Sequence, residues 1–397
     1  MVFARAESLG KGRNMIMSKD EYLITDEPLK ALTIFAMPMI LGSFFQQVYN
    51  MADSIIVGQF VGSSALAAVG ACAALTNVFI CVALGAGVGA GVLVSRYFGA
   101  GDYGKMKTIV STSLVSFLIL SLFLGGFGFC FSHSMMNLLQ TPTDILEEAV
   151  QYLRIYFAGF PFLFMYNILS TMFNSIGESK IPLGLLIFSS ILNILMDLWM
   201  VAGLGLGVFG AALATLIAQG ISAILVLITV LHRLSAMTAE KQPLFDGKLC
   251  KQILAIAVPS ILQQSVLSVG NLVVQAIINQ YGSAVVAGYS GAIKLNTFAI
   301  NIFMTLGSCL SSYTAQNLGA GKPERIPMGF KTGLKLAELT ALPFVILYFG
   351  FSRQMMSLFL NAESTGALDA GVAFLQIVSP WYLMIVVKLM TDGIIRG

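Results

Sequence analysis

The chain has 397 residues, 57% of them hydrophobic and 10% charged, with a formal net charge of +3 and a mean hydropathy of +0.85. A soluble domain carries about 25% charged residues, so this balance excludes a soluble globular protein and leaves a polytopic membrane protein embedded in a lipid bilayer. Five cysteines without a C-x-x-C spacing give neither a disulfide framework nor a zinc site, and two histidines exclude a His-rich metal centre.

Residues 1–28 lack the apolar core of a signal peptide and read as a cytoplasmic tail, in which Met15 and Met17 are alternative starts. Weakly charged runs long enough to cross a bilayer, about 20 residues each, then follow. They fall near 31–57, 65–94, 108–131, 150–174, 182–203, 208–231, 253–279, 284–314, 332–351 and 370–394. This predicts ten helices and an all-α fold, the two longest of which must tilt or bend. Eighteen of the 22 Lys and Arg residues lie in the tail, in the even-numbered loops and at the C-terminal end, whereas the other side has only Arg154 and Arg353. Positive charge collects on the cytoplasmic side, so the N-terminus is expected inside, in a cell (plasma or inner) membrane. The same bias accounts for the net charge, and no nucleic-acid surface is expected.

The sequence around Pro38, AMPMILGSFFQQVYNMADSIIVGQFVG, returns around Pro259 as AVPSILQQSVLSVGNLVVQAIINQYG, 221 residues later. Each copy runs on to a matching loop, Gly99-Ala100-Gly101-Asp102 and Gly319-Ala320-Gly321-Lys322, now 220 residues apart, with a one-residue gap before Gly62 and Gly282. Six helices precede the second copy, so both copies enter the membrane from the same side and form parallel repeats. The charged segment 232–250, with Pro243 and Asp246-Gly247, reads as a linker between an N-lobe of residues 29–231 and a C-lobe of residues 251–397. A complete second copy would run to about residue 452. About ten of twelve expected helices are therefore present.

Predicted helix one carries Ser43, Gln47, Asn50 and Ser54 on one face, and the offset places Gln264, Ser268, Asn271 and Gln275 on the equivalent face of helix seven. The repetition points to the lining of a substrate path, although Ser, Asn and Gln also hydrogen-bond membrane helices together. Two acidic residues lie well inside the first six helices, Asp53 on helix one and Asp197 on helix five. Depth counting puts Asn193, four residues before Asp197, and Thr215 on helix six at the same level. Four oxygen-bearing side chains from three helices without a deep basic partner suit a proton or a hard cation such as Na⁺. No other metal site is expected. Asp53 has Val274 as its counterpart, so the copies differ in charge. In the second half Lys294 lies deep in helix eight and is a further candidate for the substrate path, while Lys388 and Asp392 are spaced for an i,i+4 ion pair.

At Asp53 in NMADSIIVGQFVG, Asn193-x-x-x-Asp197, Gly177-Glu178-Ser179 and Ile395-Arg396-Gly397 the chain resembles the multidrug and toxic compound extrusion (MATE) family, over about residues 29–397. The resemblance implies two six-helix lobes around a V-shaped central cavity. It also implies an antiporter that exports amphipathic, often cationic compounds in exchange for H⁺ or Na⁺ at Asp53, Asn193, Asp197 and Thr215. It implies no enzyme activity and no cofactor beyond the coupling ion, and a monomer is expected. In some members acidic residues on helices seven and ten take part, and here Gln264 and Ile385 stand at those places. Two alternatives are a lipid-linked oligosaccharide flippase of the same superfamily and, from the G-x-G-D string at Gly99–Asp102, an intramembrane aspartyl protease. The string sits in a basic loop whose duplicate ends in Lys322, which fits a turn better.

Overall fold

A computed structural model describes residues 21–61, 63–139, 141–143, 145–237, 242–357 and 365–397. Most of the expected tail, Gly62, Lys241 and the side chain of Ser54 lie outside the described residues. Among those residues the fold is all-α, and nine helices are long and apolar enough to cross a membrane, or ten when a bent pair is taken as one span.

In chain order the spans are α1 (Pro28–Phe60), α2 (Ser63–Gly99), α3 (Tyr103–Leu138), α4 (Leu146–Ala158 and Phe160–Ser175), α5 (Lys180–Asp197), α6 (Gly207–Ala236), α7 (Gly247–Ile278), α8 (Ser283–Gly319), α9 (Arg325–Gly350) and α10 (Thr365–Val378 and Tyr382–Arg396). Each expected run is found, most of them extended by several residues at one or both ends. The extensions are sequences such as Ser95–Gly99 that keep helical hydrogen bonding beyond the apolar stretch. α4 bends by 49° at Gly159. The following Pro161 removes an amide donor just where the direction changes. Pro380 has a similar effect in α10, where the 3₁₀ turn Ser379–Trp381 separates two helical pieces. Pro38, Pro259 and Pro343 lie inside continuous helices.

The loop string Gly99–Asp102 is a turn. Gly101 and its duplicate Gly321 have φ of 69° and 68°, a region that favours glycine. Asp102 caps α3 by accepting from the Lys105 amide at 3.0 Å. A capping role accounts for the acid, and the protease alternative loses its motif.

Two hydrophobic clusters organise the molecule, and they exchange members between the sequence copies. The first joins α2, α3, α4 and the end of α6 with Leu249, Ile253 and Ala257 from the start of α7. The second joins α8, α9 and α10 with Ala31, Leu32, Phe35 and Ala36 from the start of α1. Each copy's opening turns are thus buried in the other copy's core. The reason is legible in α2, whose glycines alternate between two partners. A Cβ at Gly89 would lie 2.7 Å from the Ile253 carbonyl oxygen of α7, and one at Gly91 would lie 2.7 Å from Thr171 Cγ2 of α4. Close backbone approach of this kind is how small residues hold membrane helices together.

The copies meet at the basic end of the molecule. There Gly99 abuts the Gln316 carbonyl and Gly319 abuts the Arg96 carbonyl, a reciprocal contact between residues 220 apart. Gln316 Nε2 donates to the Ser175 carbonyl at 2.7 Å and ties α8 to the end of α4. A short helix, Tyr22–Thr25, lies across this seam. The Tyr22 hydroxyl donates to the Gly177 carbonyl at 2.8 Å, while Asn317 Nδ2 donates to the Leu23 carbonyl at 3.1 Å and Arg325 donates to the Asp26 carbonyl.

Candidate cation site and cavity

Asp53 on α1 and Asp197 at the end of α5 come together as depth counting expects. Asp197 is fully buried and Asn193 is 2% exposed. With its amide oriented to satisfy both ends, Asn193 donates to Asp197 Oδ2 at 2.8 Å and accepts from the Thr215 amide at 3.2 Å. The Thr215 hydroxyl donates to the Ala211 carbonyl at 3.1 Å. The two carboxyl groups are within hydrogen-bonding reach of each other. Asp53 Oδ1 and Asp197 Oδ1 are both buried with no donor. Two carboxyls in such contact require a shared proton or a cation between them. The unsatisfied oxygens, with the Thr215 hydroxyl beside them, match the hard oxygen donors that Na⁺ or H⁺ takes.

The chain leaves regular α-helix immediately after Asp197, in the π-helical turn Leu198–Gly203. A π turn widens the helix and frees backbone groups, and such turns concentrate at functional positions. Its sequence, LWMVAG, carries no signature that announces it.

The site opens into a cavity of about 550 Å³. Ser43, Gln47 and Asn50 of the helix-one stripe line it, together with Asp53, Asn193 and Thr215, while Asp197 is not among the lining residues. Sequence reasoning missed four tyrosines on its wall, Tyr49, Tyr152, Tyr156 and Tyr166. Tyr49 is one turn before Asp53, and its hydroxyl is in hydrogen-bonding reach of Thr215. Helical spacing from Asp53 could have found Tyr49, whereas Tyr152 and Tyr156 arrive only through the bend in α4. Asn301, Thr305 and Ser308 of α8 close the wall from the second copy, and the Ser43 and Thr305 hydroxyls hydrogen-bond at 2.9 Å.

The second copy's stripe lies elsewhere. Gln264 and Ser268 face α2, where the Ser268 hydroxyl is 3.2 Å from Cys81 Sγ, and Asn271 is exposed. Gln275 is partly buried, Lys294 is exposed, and neither lines this cavity. Lys388 pairs with Asp392 at 2.7 Å, and Gln263 extends the network by donating to Asp392 at 3.2 Å and accepting from Arg396 at 2.5 Å.

A helical membrane protein built from two like-oriented copies around a polar, carboxyl-bearing cavity has the architecture of a secondary transporter. The MatE family model matches residues 38–199 and 259–397, one match per copy, and the chain belongs to that family. Its members are transporters and not enzymes. The chain is 28% identical over 370 residues to the probable multidrug resistance protein YpnP of Bacillus subtilis, spanning 93% of this chain and 82% of that protein. It is 26% identical over 354 residues to the FAD transporter of Shewanella oneidensis, spanning 86% and 76%. In structure it is similar to the outward-facing conformation of a multidrug resistance MATE family transporter of the MOP superfamily, with a TM-score of 0.88 at 23% identity over 96% of this chain and 84% of that one.

Proposed function

We propose that the chain is a secondary active antiporter that exports amphipathic, drug-like cations in exchange for H⁺ or Na⁺ bound at Asp53, Asn193, Asp197 and Thr215. The observation that carries this reading is the pair of mutually contacting carboxyl groups, each with a buried oxygen lacking a donor, beside a cavity. A buried carboxylate without a basic partner is costly unless a proton or cation neutralises it. Occupancy by the coupling ion and occupancy of the cavity by substrate then favour different arrangements of the same helices. The names of the multidrug relatives support the substrate class. The FAD transporter raises an anionic alternative. The cavity wall combines apolar side chains such as Met39, Leu84 and Met304 with hydroxyls, amides, tyrosines and Asp53, with no Lys or Arg among its lining residues, which disfavours a pyrophosphate and also weakens the flippase reading.

The proposed orientation has the basic end at the cytoplasm of a cell membrane, with residues 29–231 and 251–397 acting as two lobes. The MATE resemblance further suggests a monomer. The test is dye efflux by the chain in vesicles under an imposed pH or Na⁺ gradient. Asp53→Asn and Asp197→Asn should each reduce gradient-driven efflux to the level of empty vesicles. Intact efflux in both variants would sink the assignment of coupling to this pair.

A further inference from the structure

The reciprocal packing of the copies creates two equivalent crevices at the basic end. In the crevice between α8 and α1, Leu23 and Ile24 are buried at 0% and 7% exposure, and Asn317 and Lys322 donate to their backbone carbonyls at 3.1 Å and 3.3 Å. The other crevice, between α2, α7 and the end of α8, is about 570 Å³ and open. The repeat assigns Leu244 and Phe245 to the places of Leu23 and Ile24. They are instead 77% and 51% exposed.

The chemistry of the two crevices differs at several equivalent positions, Lys322 of the filled crevice against Asp102 among them. Where the filled crevice has Gln316 and Asn317, the open one has Arg96 and Tyr97, and Lys248, at the place equivalent to Glu27, lies one helical turn before the lining residue Gln252. In the filled crevice Asn317 and Lys322 donate to the peptide carbonyls of Leu23 and Ile24, and Gln316 donates to the Ser175 carbonyl, so its donors are spent on the chain itself. A guanidinium and an ammonium are donors without acceptors and suit an anion, phosphate above all. Arg96 and Lys248 are exposed, and neither forms an ion pair among the described residues. The nearby acids are engaged: Asp246 accepts the amides of Lys248 and Leu249, and Asp102 pairs with Lys105. Arg96 lies one turn from the end of α2 and Lys248 lies in the first turn of α7, which is headgroup depth. Leu93, Ala255, Ile256 and Leu318 make the wall apolar.

We propose that this crevice holds one anionic phospholipid, with its phosphate on Arg96 and Lys248 and an acyl chain against Leu93, Ala255, Ile256 and Leu318. The lipid would fill the place that the chain's own Leu23 and Ile24 take on the other side.

The test is lipid retention by the full chain, purified from vesicles of equal phosphatidylglycerol and phosphatidylcholine with matched acyl chains and read by native mass spectrometry. One phosphatidylglycerol per chain should be retained in preference to phosphatidylcholine. Arg96→Gln, which installs the residue of the filled crevice, should cut that preference about fivefold, the weight of one basic residue at a lipid surface. Ala255→Trp should displace the lipid by filling the wall, and it keeps the test usable if Arg96→Gln does not fold. Equal retention of both lipids, or a preference unchanged by both variants, overturns the proposal. So does inorganic phosphate displacing the phosphatidylglycerol, since that would show a free-phosphate site with no use for the acyl chain.

Discussion

Asn193 shows how one side chain can organise two carboxyl groups. It supplies the donor to Asp197 Oδ2 and takes up the Thr215 amide, while Asp197 Oδ1 and Asp53 Oδ1 are left without a donor. Asn193→Ala leaves a buried acceptor unsatisfied, at a cost of about 1–3 kcal/mol. It should lower the thermal stability of the purified chain, and in a double-mutant cycle with Asp197→Asn the two effects should be less than additive. Strict additivity would mean that the contact is not energetically coupled. This constellation was legible in the sequence because depth can be counted along helices of known direction, and acids are rare inside membranes. The tyrosines around it were not legible, since buried aromatic residues are far more often ordinary core and the bend in α4 decides where Tyr152 and Tyr156 point. Lys294 was expected on the substrate path, yet it is exposed and does not line this cavity, because sequence depth does not fix which way a helix is turned.

At the level of the helix, α1 has two tasks divided near Pro38. Ala31, Leu32 and Phe35 before it belong to the second hydrophobic cluster, while Ser43, Gln47, Asn50 and Asp53 beyond it face the cavity. α2 shows the same economy in its glycines, two of which meet α7 and two α4. The seam at the basic end depends on Gly99 and Gly319, where a side chain would strike the partner backbone. Gly99→Leu should therefore disfavour this closed arrangement. Spin labels placed at Lys105 and Met328, both on exposed positions of the two copies, should report a longer or broader distance distribution in that variant. An unchanged distribution would show that the seam tolerates bulk and does not hold the copies closed. The glycine string announced close packing in the sequence, but not the alternation of partners, which depends on where α7 lies.

Over the whole molecule, the weakly charged runs gave the helix count, and the duplication gave the common direction expected of the copies and the position of the charged segment between them. It did not give the exchange of opening turns. A repeat offset says which residues are equivalent, and two equivalent positions can be buried either within their own copy or across the seam; side-chain periodicity is the same in both cases. The second family-model match starting at Pro259, as the first starts at Pro38, agrees with the offset of 221. The asymmetry between the copies is chemical and sits on this common frame: Asp53 against Val274 in the membrane, and Glu27 against Lys248 at its surface.

The exchanged opening turns give the chain the construction of a domain-swapped dimer whose two subunits have been fused end to end. Leu32 and Phe35 on one side, and Leu249 and Ile253 on the other, act as clasps, so the covalent linker is not what keeps the halves together. A protease site inserted at the exposed Pro243–Phe245 stretch and cut after purification should leave two fragments that co-elute on gel filtration in mild detergent. Fragments that separate at once would show that the clasps contribute little.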